Sequence, residues 1–239
     1  MRWTKIAATL AALACSAQLC AETTAERRVR RLVEPRMGEN IKVDSVTKTP
    51  YGGLYEVRTN GDIFYTDATA RYMFVGKVMD LTTLQDLTRA RVDQISAIRF
   101  SELPLADAIK TVKGNGKRVM AVFEDPNCPY CRKLHQILRE IDNVTVYTFL
   151  LNILSDDSAR ISKDIWCAPD RAQAWQRWMS ESKAAPAAPD ACRTPNEDVL
   201  ALGRRLRVAG TPTIYFADGS RTGSAFDAAA LEAKLNAAR

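Results

Sequence analysis

A chain of 239 residues is long enough for one or two domains. Hydrophobic residues make up 46% of it and charged residues 26%, and 11 glycines with 10 prolines are too few for a collagen or a disordered chain. A single histidine, His135, excludes a His-rich metal cage, the formal charge of +6 is a mild excess, and six cysteines remain as the abundant soft ligand or nucleophile.

Residues 1–21 read as a secretory signal, because Arg2 and Lys5 precede an apolar run from Ile6 to Cys15 and small residues then lead to Ala21. Cleavage after Ala17 and lipidation at Cys15 are the alternatives. The run is about half the ~20 apolar residues of a membrane span. Losing Arg2 and Lys5 takes the charge from +6 to +4, and losing Cys15 and Cys20 leaves Cys128, Cys131, Cys167 and Cys192. An exported compartment permits disulfides among them. The Arg27, Arg28, Arg30, Arg31 cluster reads as a solvated helix face rather than a nucleic-acid patch.

From Glu22 to Asp80 a short helix precedes a small sheet. Val29, Leu32 and Val33 fall at helical spacing before Pro35 ends the helix. Ile41 and Val43 alternate with polar residues, and β-rich segments follow at Leu54–Val57, Ile63–Thr66 and Tyr72–Val75. Asn60-Gly61 between two of them is a hairpin signal. About 60 residues give a marginal core, so pairing with a second copy is expected on size alone. A helix from Leu84 to Ile98 is expected next, opened by a capping box of Thr82 and Gln85. Its loose apolar stripe fits a linker or a packed core helix equally.

From Phe100 the order changes to alternating strands and helices. Val119–Phe123 is a continuous apolar run, as in a strand buried on both faces. A turn holding Cys128-Pro129-Tyr130-Cys131 follows, then a helix with Leu134, Ile137, Leu138 and Ile141 on one stripe. A strand at Val144–Leu151, a helical region from Ile161 to Met179 and an Ala/Pro loop at Ala184–Pro189 come next. The chain then gives a strand at Thr213–Phe216 turning at Asp218-Gly219, and a helix from Asp227 to Ala238. This is an α/β layout.

A C-x-x-C between a buried strand and an amphipathic helix is the context of a redox pair. An inert disulfide or half of a zinc site are the alternatives, although Cys167 and Cys192, 25 apart, do not have knuckle spacing. Cys131 shares the apolar stripe with Leu134 and Leu138 and should face the core. Cys128 lies at the helix start, where free N–H groups and the positive dipole end favour a thiolate, so it should be the accessible attacking thiol. Pro129 suits the first helical position. Glu124 and Asp125 lie toward the surface end of the strand, with Asp125 read as a solvated turn carboxylate and His135 as a surface or rim residue.

The strand, CPYC and helix, together with Gly210-Thr211-Pro212-Thr213, resemble the thioredoxin superfamily. Phe123-x-Asp125-x-x-Cys128-x-Tyr130-Cys131 is similar to the periplasmic disulfide isomerases of the DsbC/DsbG type, over essentially the whole mature chain. That resemblance implies an α/β thioredoxin-like catalytic domain at 99–239, a linker helix at 81–98 and a small α+β N-terminal dimerisation domain at 22–80. It implies a cis Thr211–Pro212 bond beside the cysteines, with Thr211, Pro212 and Tyr130 meeting substrate, and a structural disulfide between Cys167 and Cys192. The activity implied is disulfide isomerisation and reduction on misfolded or oxidised exported proteins. The implied protein is a periplasmic homodimer, kept reduced by a DsbD-type membrane reductase, with no metal or organic cofactor and no nucleic acid.

Two departures bear on substrate. Pro129-Tyr130 looks like the DsbG branch, which is associated with reducing sulfenylated cysteines. Val122 stands six residues before Cys128, where thioredoxin and the DsbA oxidase place a buried carboxylate. A holdase cleft without redox turnover is the non-enzymatic alternative.

Overall fold

The computed structural model describes residues 22–38, 41–59, 62–222 and 227–238. The export signal assigned to residues 1–21 and the Asn60-Gly61 turn lie outside the described residues. Two compact units divide the chain, residues 1–76 and 77–239.

In the first unit, helix α1 (Thr24–Val33) opens on a capping box in which Thr23 and Glu26 satisfy each other's backbone N–H. Four antiparallel strands follow, β1 (Val43–Lys48), β2 (Tyr55–Thr59), β3 (Asp62–Thr66) and β4 (Met73–Phe74), in that spatial order. Val29 and Val33 of α1 pack with Val43, Val46, Tyr55, Val57 and Phe64, a small apolar core on one face of the sheet. The two sheet edges differ. Along β1, the Val46 N–H donates to Glu22 and the Lys48 N–H to Glu26, at 3.1 and 2.9 Å. Glu22 is itself held by Arg30, whose guanidinium keeps that carboxyl below its ordinary range. On β4, Met73 and Phe74 are exposed, as are their neighbours Tyr72 and Val75.

The second unit opens with a two-stranded ribbon, β5 (Met79–Asp80) and β6 (Gln85–Asp86), and helix α2 (Leu87–Ile95). Thr82 and Gln85 thus belong to the ribbon and not to a capping box. Leu84 takes a positive φ of 57°, which stops helix there, and Asp86 caps α2 by accepting the Arg89 N–H. Strands β7 (Ile109–Lys113) and β8 (Arg118–Glu124), helix α3 (Pro129–Leu138) and strand β9 (Val144–Leu150) follow. The expected helical region from Ile161 to Met179 is two helices, α4 (Ser158–Trp166) and α5 (Arg171–Glu181), interrupted around Pro169. Helix α6 (Asn196–Arg205), strands β10 (Thr213–Phe216) and β11 (Arg221–Thr222) and helix α7 (Ala228–Ala237) complete the chain.

The five-stranded sheet runs β11-β10-β8-β9-β7, parallel only between β8 and β9, the pair joined through α3. Both faces are covered. Met120, Val122, Val146, Ile214 and Phe216 pack under Leu134 and Ile137 of α3 and Leu231 and Leu235 of α7. Ala121, Phe123, Phe149 and Tyr215 pack with Val199 and Leu202 of α6, with Phe123 stacked on Phe149 at 4.8 Å. A third cluster joins Ile161 and Ile165 of α4 and Trp175 and Met179 of α5 to the two cysteines at the start of α3. Gly219, at φ +82°, allows the β10–β11 turn to meet the main chain at Ile98, since a Cβ there would lie 1.8 Å from the Ile98 carbonyl oxygen.

Candidate active site

Strand β8 ends at Glu124, and α3 starts at Pro129 because proline needs no N–H partner in the first turn. Between them, Cys128 is the N-cap of α3, with extended backbone at φ −79° and ψ 117°. Its sulfur accepts the Cys131 N–H at 3.3 Å, so one of the helix's unpaired donors points at the sulfur. The Cys128 thiol donates in turn to the Thr211 carbonyl at 3.2 Å. The Thr211–Pro212 bond is cis. Both cysteines are free thiols.

Burial corrects the expectation of an accessible Cys128, because only 1% of that residue is exposed. Thr211 lies over its sulfur, and the cluster with Ile161, Ile165 and Trp175 encloses it from the side. Cys131 is fully buried. Burial pushes its thiol far above the ordinary value, and the negative charge of Glu124 and the neighbouring Cys128 push it further; the Asp125 N–H opposes them by donating to its sulfur. The exposed features are apolar: Tyr130 in the first turn of α3 is 62% exposed, and Ile153 and Leu154 are exposed in the loop after β9.

Asp125 sets that loop. It is not a solvated turn carboxylate but is fully buried, and its two oxygens accept from Asn127 N–H, Ser158 Oγ, Ile153 N–H and Leu154 N–H, all within 2.8–3.0 Å. One carboxylate therefore ties the Cys-Pro-Tyr-Cys turn to the apolar rim. The Trp178 indole N–H adds a second tie by donating to the Pro126 carbonyl at 2.7 Å.

Glu124 is also fully buried, not near the surface. Alternation explains its place. Met120 and Val122 face α3, and Glu124 is the next residue on that face. Its Oε2 meets His135 Nε2 at 3.2 Å and accepts from Thr148 Oγ1 at 3.3 Å. His135, expected at the surface, keeps only 14% of its side chain exposed and sets its ring edge-on to Trp175 at 5.6 Å. Sequence reasoning missed this group, although period-two alternation along β8 and the four-residue spacing of Cys131 and His135 both pointed to it.

Cys167, at the end of α4, is bonded to Cys192 with a sequence separation of 25. The closed loop contains α5 and the Ala/Pro segment. Among the described residues no three His, Cys, Asp or Glu side chains gather as metal ligands, and no helix is long and apolar enough to cross a membrane.

Comparison with known proteins agrees with this geometry. Residues 105–239 match the model of a thioredoxin-like domain, and residues 16–89 match that of the disulfide bond isomerase protein N-terminal domain. A probable thiol:disulfide interchange protein DsbC of Bordetella parapertussis is 49% identical over 197 residues, covering 82% of this chain and 70% of that one. The thiol:disulfide interchange protein DsbC of Escherichia coli is 27% identical over 187 residues, 75% of each chain. A crystal structure of a disulfide interchange protein from Neisseria gonorrhoeae superimposes with a TM-score of 0.54 and 38% identity, over 57% of this chain and 98% of that one.

Proposed function

The chain belongs to the DsbC family of thiol:disulfide interchange proteins, and from that premise we propose that Cys128 is the attacking thiol and Cys131 the resolving one. The activity of the family is thiol-disulfide exchange catalysed as a disulfide isomerase or oxidoreductase, on an α/β thioredoxin-like domain. The observation that carries the assignment of roles is the asymmetry of the two sulfurs: both are buried and each accepts one backbone N–H, but Cys128 caps the helix start and meets the Thr211 carbonyl, whereas the thiol of Cys131 is pushed up by burial and by the charge of Glu124. Cys128 thiolate attacks a wrongly paired substrate disulfide and forms a mixed disulfide. A second substrate thiol then resolves it as an isomerisation, or Cys131 resolves it as a net reduction.

Substrate runs extended past Thr211 and Pro212, where the Thr211 carbonyl, which accepts the Cys128 thiol in the free protein, is released to a peptide strand once that sulfur is bonded to substrate. Tyr130, Ile153 and Leu154 give that peptide an apolar, sequence-tolerant rim, suited to misfolded or oxidised exported proteins. The Cys167–Cys192 disulfide is structural. Residues 22–80 are the dimerisation domain, through the β4 edge, residues 81–98 are the linker, and residues 99–239 are the catalytic domain. The protein acts in the periplasm after removal of residues 1–21 and receives electrons from a DsbD-type membrane reductase.

Reduced protein should restore activity to scrambled ribonuclease faster than it reduces a sulfenylated thiol. The opposite ranking would make the DsbG-like reaction the better reading, which Pro129-Tyr130 favours. A Cys128→Ser protein that still rescued the scrambled substrate at the full rate would leave only a holdase.

A further inference from the structure

Helix α6 ends in a Schellman motif: the Arg207 N–H donates to the Arg204 carbonyl at 3.1 Å and the Val208 N–H to the Gly203 carbonyl at 2.8 Å. The residue that takes left-handed backbone after such a helix is ordinarily glycine or asparagine, and here it is Arg207, at φ 53°. The chain keeps a long cationic side chain where a smaller residue suits the backbone better. A local rule broken in this way points to a use for the side chain.

Arg207 lines a cavity of about 230 Å³ together with Arg89 of α2, Arg221 of β11, Asp93, Gly210 and Thr211. Asp93 is the one acidic residue of that lining, and it pairs with Arg89 Nε at 3.1 Å. The Arg221 guanidinium donates to the Arg207 carbonyl at 3.4 Å, a neutral acceptor. The Arg207 guanidinium has no hydrogen-bond or ion-pair partner among the described residues. Three arginines against one aspartate leave two positive charges uncompensated in the cavity wall. Thr211 Oγ1 is buried and likewise has no partner among the described residues. An acceptor seated beside it would satisfy a hydroxyl that the free protein leaves unmade.

The cavity shares Thr211 with the reacting sulfur, since the Thr211 carbonyl accepts the Cys128 thiol at 3.2 Å. The turn is fixed from below by Thr213 Oγ1, which donates to the Gly210 carbonyl at 2.7 Å. An extended peptide advances ~3.3 Å per residue, so a side chain within three positions of a bonded cysteine lies within about 10 Å of it along the strand. The chemistry that answers two unpaired guanidinium groups is a carboxylate, which arginine grips through parallel N–H bonds.

We propose that Arg207 and Arg221 form a subsite for an aspartate or glutamate carboxylate of the substrate chain, within three positions of the cysteine that bonds to Cys128. The proposal rests on the role given above to Cys128 as the attacking thiol. The apolar rim of Tyr130, Ile153 and Leu154 reads no charge, so this subsite is what ranks substrates by the residues around their cysteines.

The test uses full-length Cys131→Ser protein, which retains the adduct, and cysteine peptides activated as 2-pyridyl disulfides, whose leaving group is neutral. Cys128 thiolate attacks the peptide sulfur, the Cys128–peptide bond forms as the bond to the pyridyl sulfur breaks, and pyridine-2-thiol leaves with the bonding pair, takes a proton from water and is read by absorbance. The peptides carry Glu, Gln or Lys at one of the three positions on either side of the cysteine. Each rate is divided by that of the same peptide with 2-mercaptoethanol, which removes the intrinsic effect of the charge on the disulfide. At one position or more, the Glu peptide should be captured about tenfold faster than the Gln peptide at low ionic strength and about threefold faster in about 0.5 M sodium chloride. Replacing Arg207 and Arg221 together by Gln should bring the ratio to about one, and Arg207→Lys should keep the larger part of it. Arg207→Glu should favour the Lys peptide, a reversal that a folding defect does not produce. Lys117→Gln removes a charge just before the other end of β8 and should leave the ratio as it was. Equal capture of Glu and Gln peptides at every position would overturn the proposal, and so would an equal fall of the ratio in Lys117→Gln, which would assign the preference to net charge. If no peptide attached to Cys128 at all, the assignment of the attacking thiol would be wrong, whatever Arg207 does.

Discussion

The two cysteine pairs of the second unit occupy opposite environments. Cys128 and Cys131 are free, buried and three residues apart on the first turn of a helix, beside a buried carboxylate and the Thr211 carbonyl. Cys167 and Cys192 are bonded, lie 25 residues apart and are partly exposed, joining the end of α4 to the segment before α6. What differs is the set of groups around each sulfur. The first pair is surrounded by donors, acceptors and charge that act differently on its two members, and the second closes a loop of 25 residues, with the Arg193 carbonyl 3.7 Å from Cys192 Sγ. The helix start and its underside set the surroundings of the first pair, and loop closure is what the second pair adds to the fold.

The largest expected effect tests that division directly. Cys128→Ser should lower disulfide exchange at least about a thousandfold, whereas replacing Cys167 and Cys192 together by Ala should leave the rate within about twofold, as measured by insulin reduction and scrambled-ribonuclease rescue. A large loss in the double variant with its fold intact would merge the two pairs into one functional unit. Next in size is a difference in stability. Opening the 25-residue loop should cost about 3 kcal/mol in the chain-entropy model, or roughly 6 to 12 °C in melting temperature for a unit of this size, read by circular dichroism. An unchanged melting temperature would remove the structural role.

The smallest effect concerns pH. The folded Cys131 thiol is raised above the ordinary value of 9.0, so its protonated form is favoured by folding. The associated stability is complete below pH 9 and declines above it, because the unfolded chain releases a proton that the folded chain retains. Urea denaturation of the reduced protein should show about 1 kcal/mol lost per pH unit above 9, a slope absent from Cys131→Ser. The bonded pair does not titrate and contributes no such slope. Equal slopes in the two proteins would mean that Cys131 is better solvated than its burial implies.

Much of the catalytic unit was legible because its signals are local. The apolar run Val119–Phe123, the Pro129 start and the stripe through Leu134 and Ile137 each follow from a short window of sequence. Strand β7 was not, because Lys110 and Lys113 dilute its pattern and its place at the sheet edge demands little burial on the outer side. Helix α2 was drawn too long because Thr82 and Gln85 imitate a cap, and only the positive φ at Leu84 and the β5–β6 pairing reveal a ribbon. The site followed the same rule. Cys128 and Cys131 announce themselves by spacing, whereas the burial of Asp125 depends on four donors that all lie C-terminal to it, three of them about 30 residues away. Glu124 was misjudged because a glutamate at a strand end is ordinarily solvated, and His135 and Thr148 are brought to it only by the packing of α3 and β9.

The capped β1 edge of the first unit has a consequence for assembly. With the Val46 and Lys48 N–H groups occupied by Glu22 and Glu26, two ladder donors on that side of the sheet are withheld from another strand. A sheet that can be extended at β4 alone can be extended once. Were the proposed dimer joined through β4, each end of the joined sheet would be a β1 edge whose Val46 and Lys48 N–H groups are already occupied, which limits the union to two copies. Removing the carboxylates of Glu22 and Glu26 would therefore do more than weaken a helix cap: it would reopen the growth end that keeps a dimer from becoming a polymer.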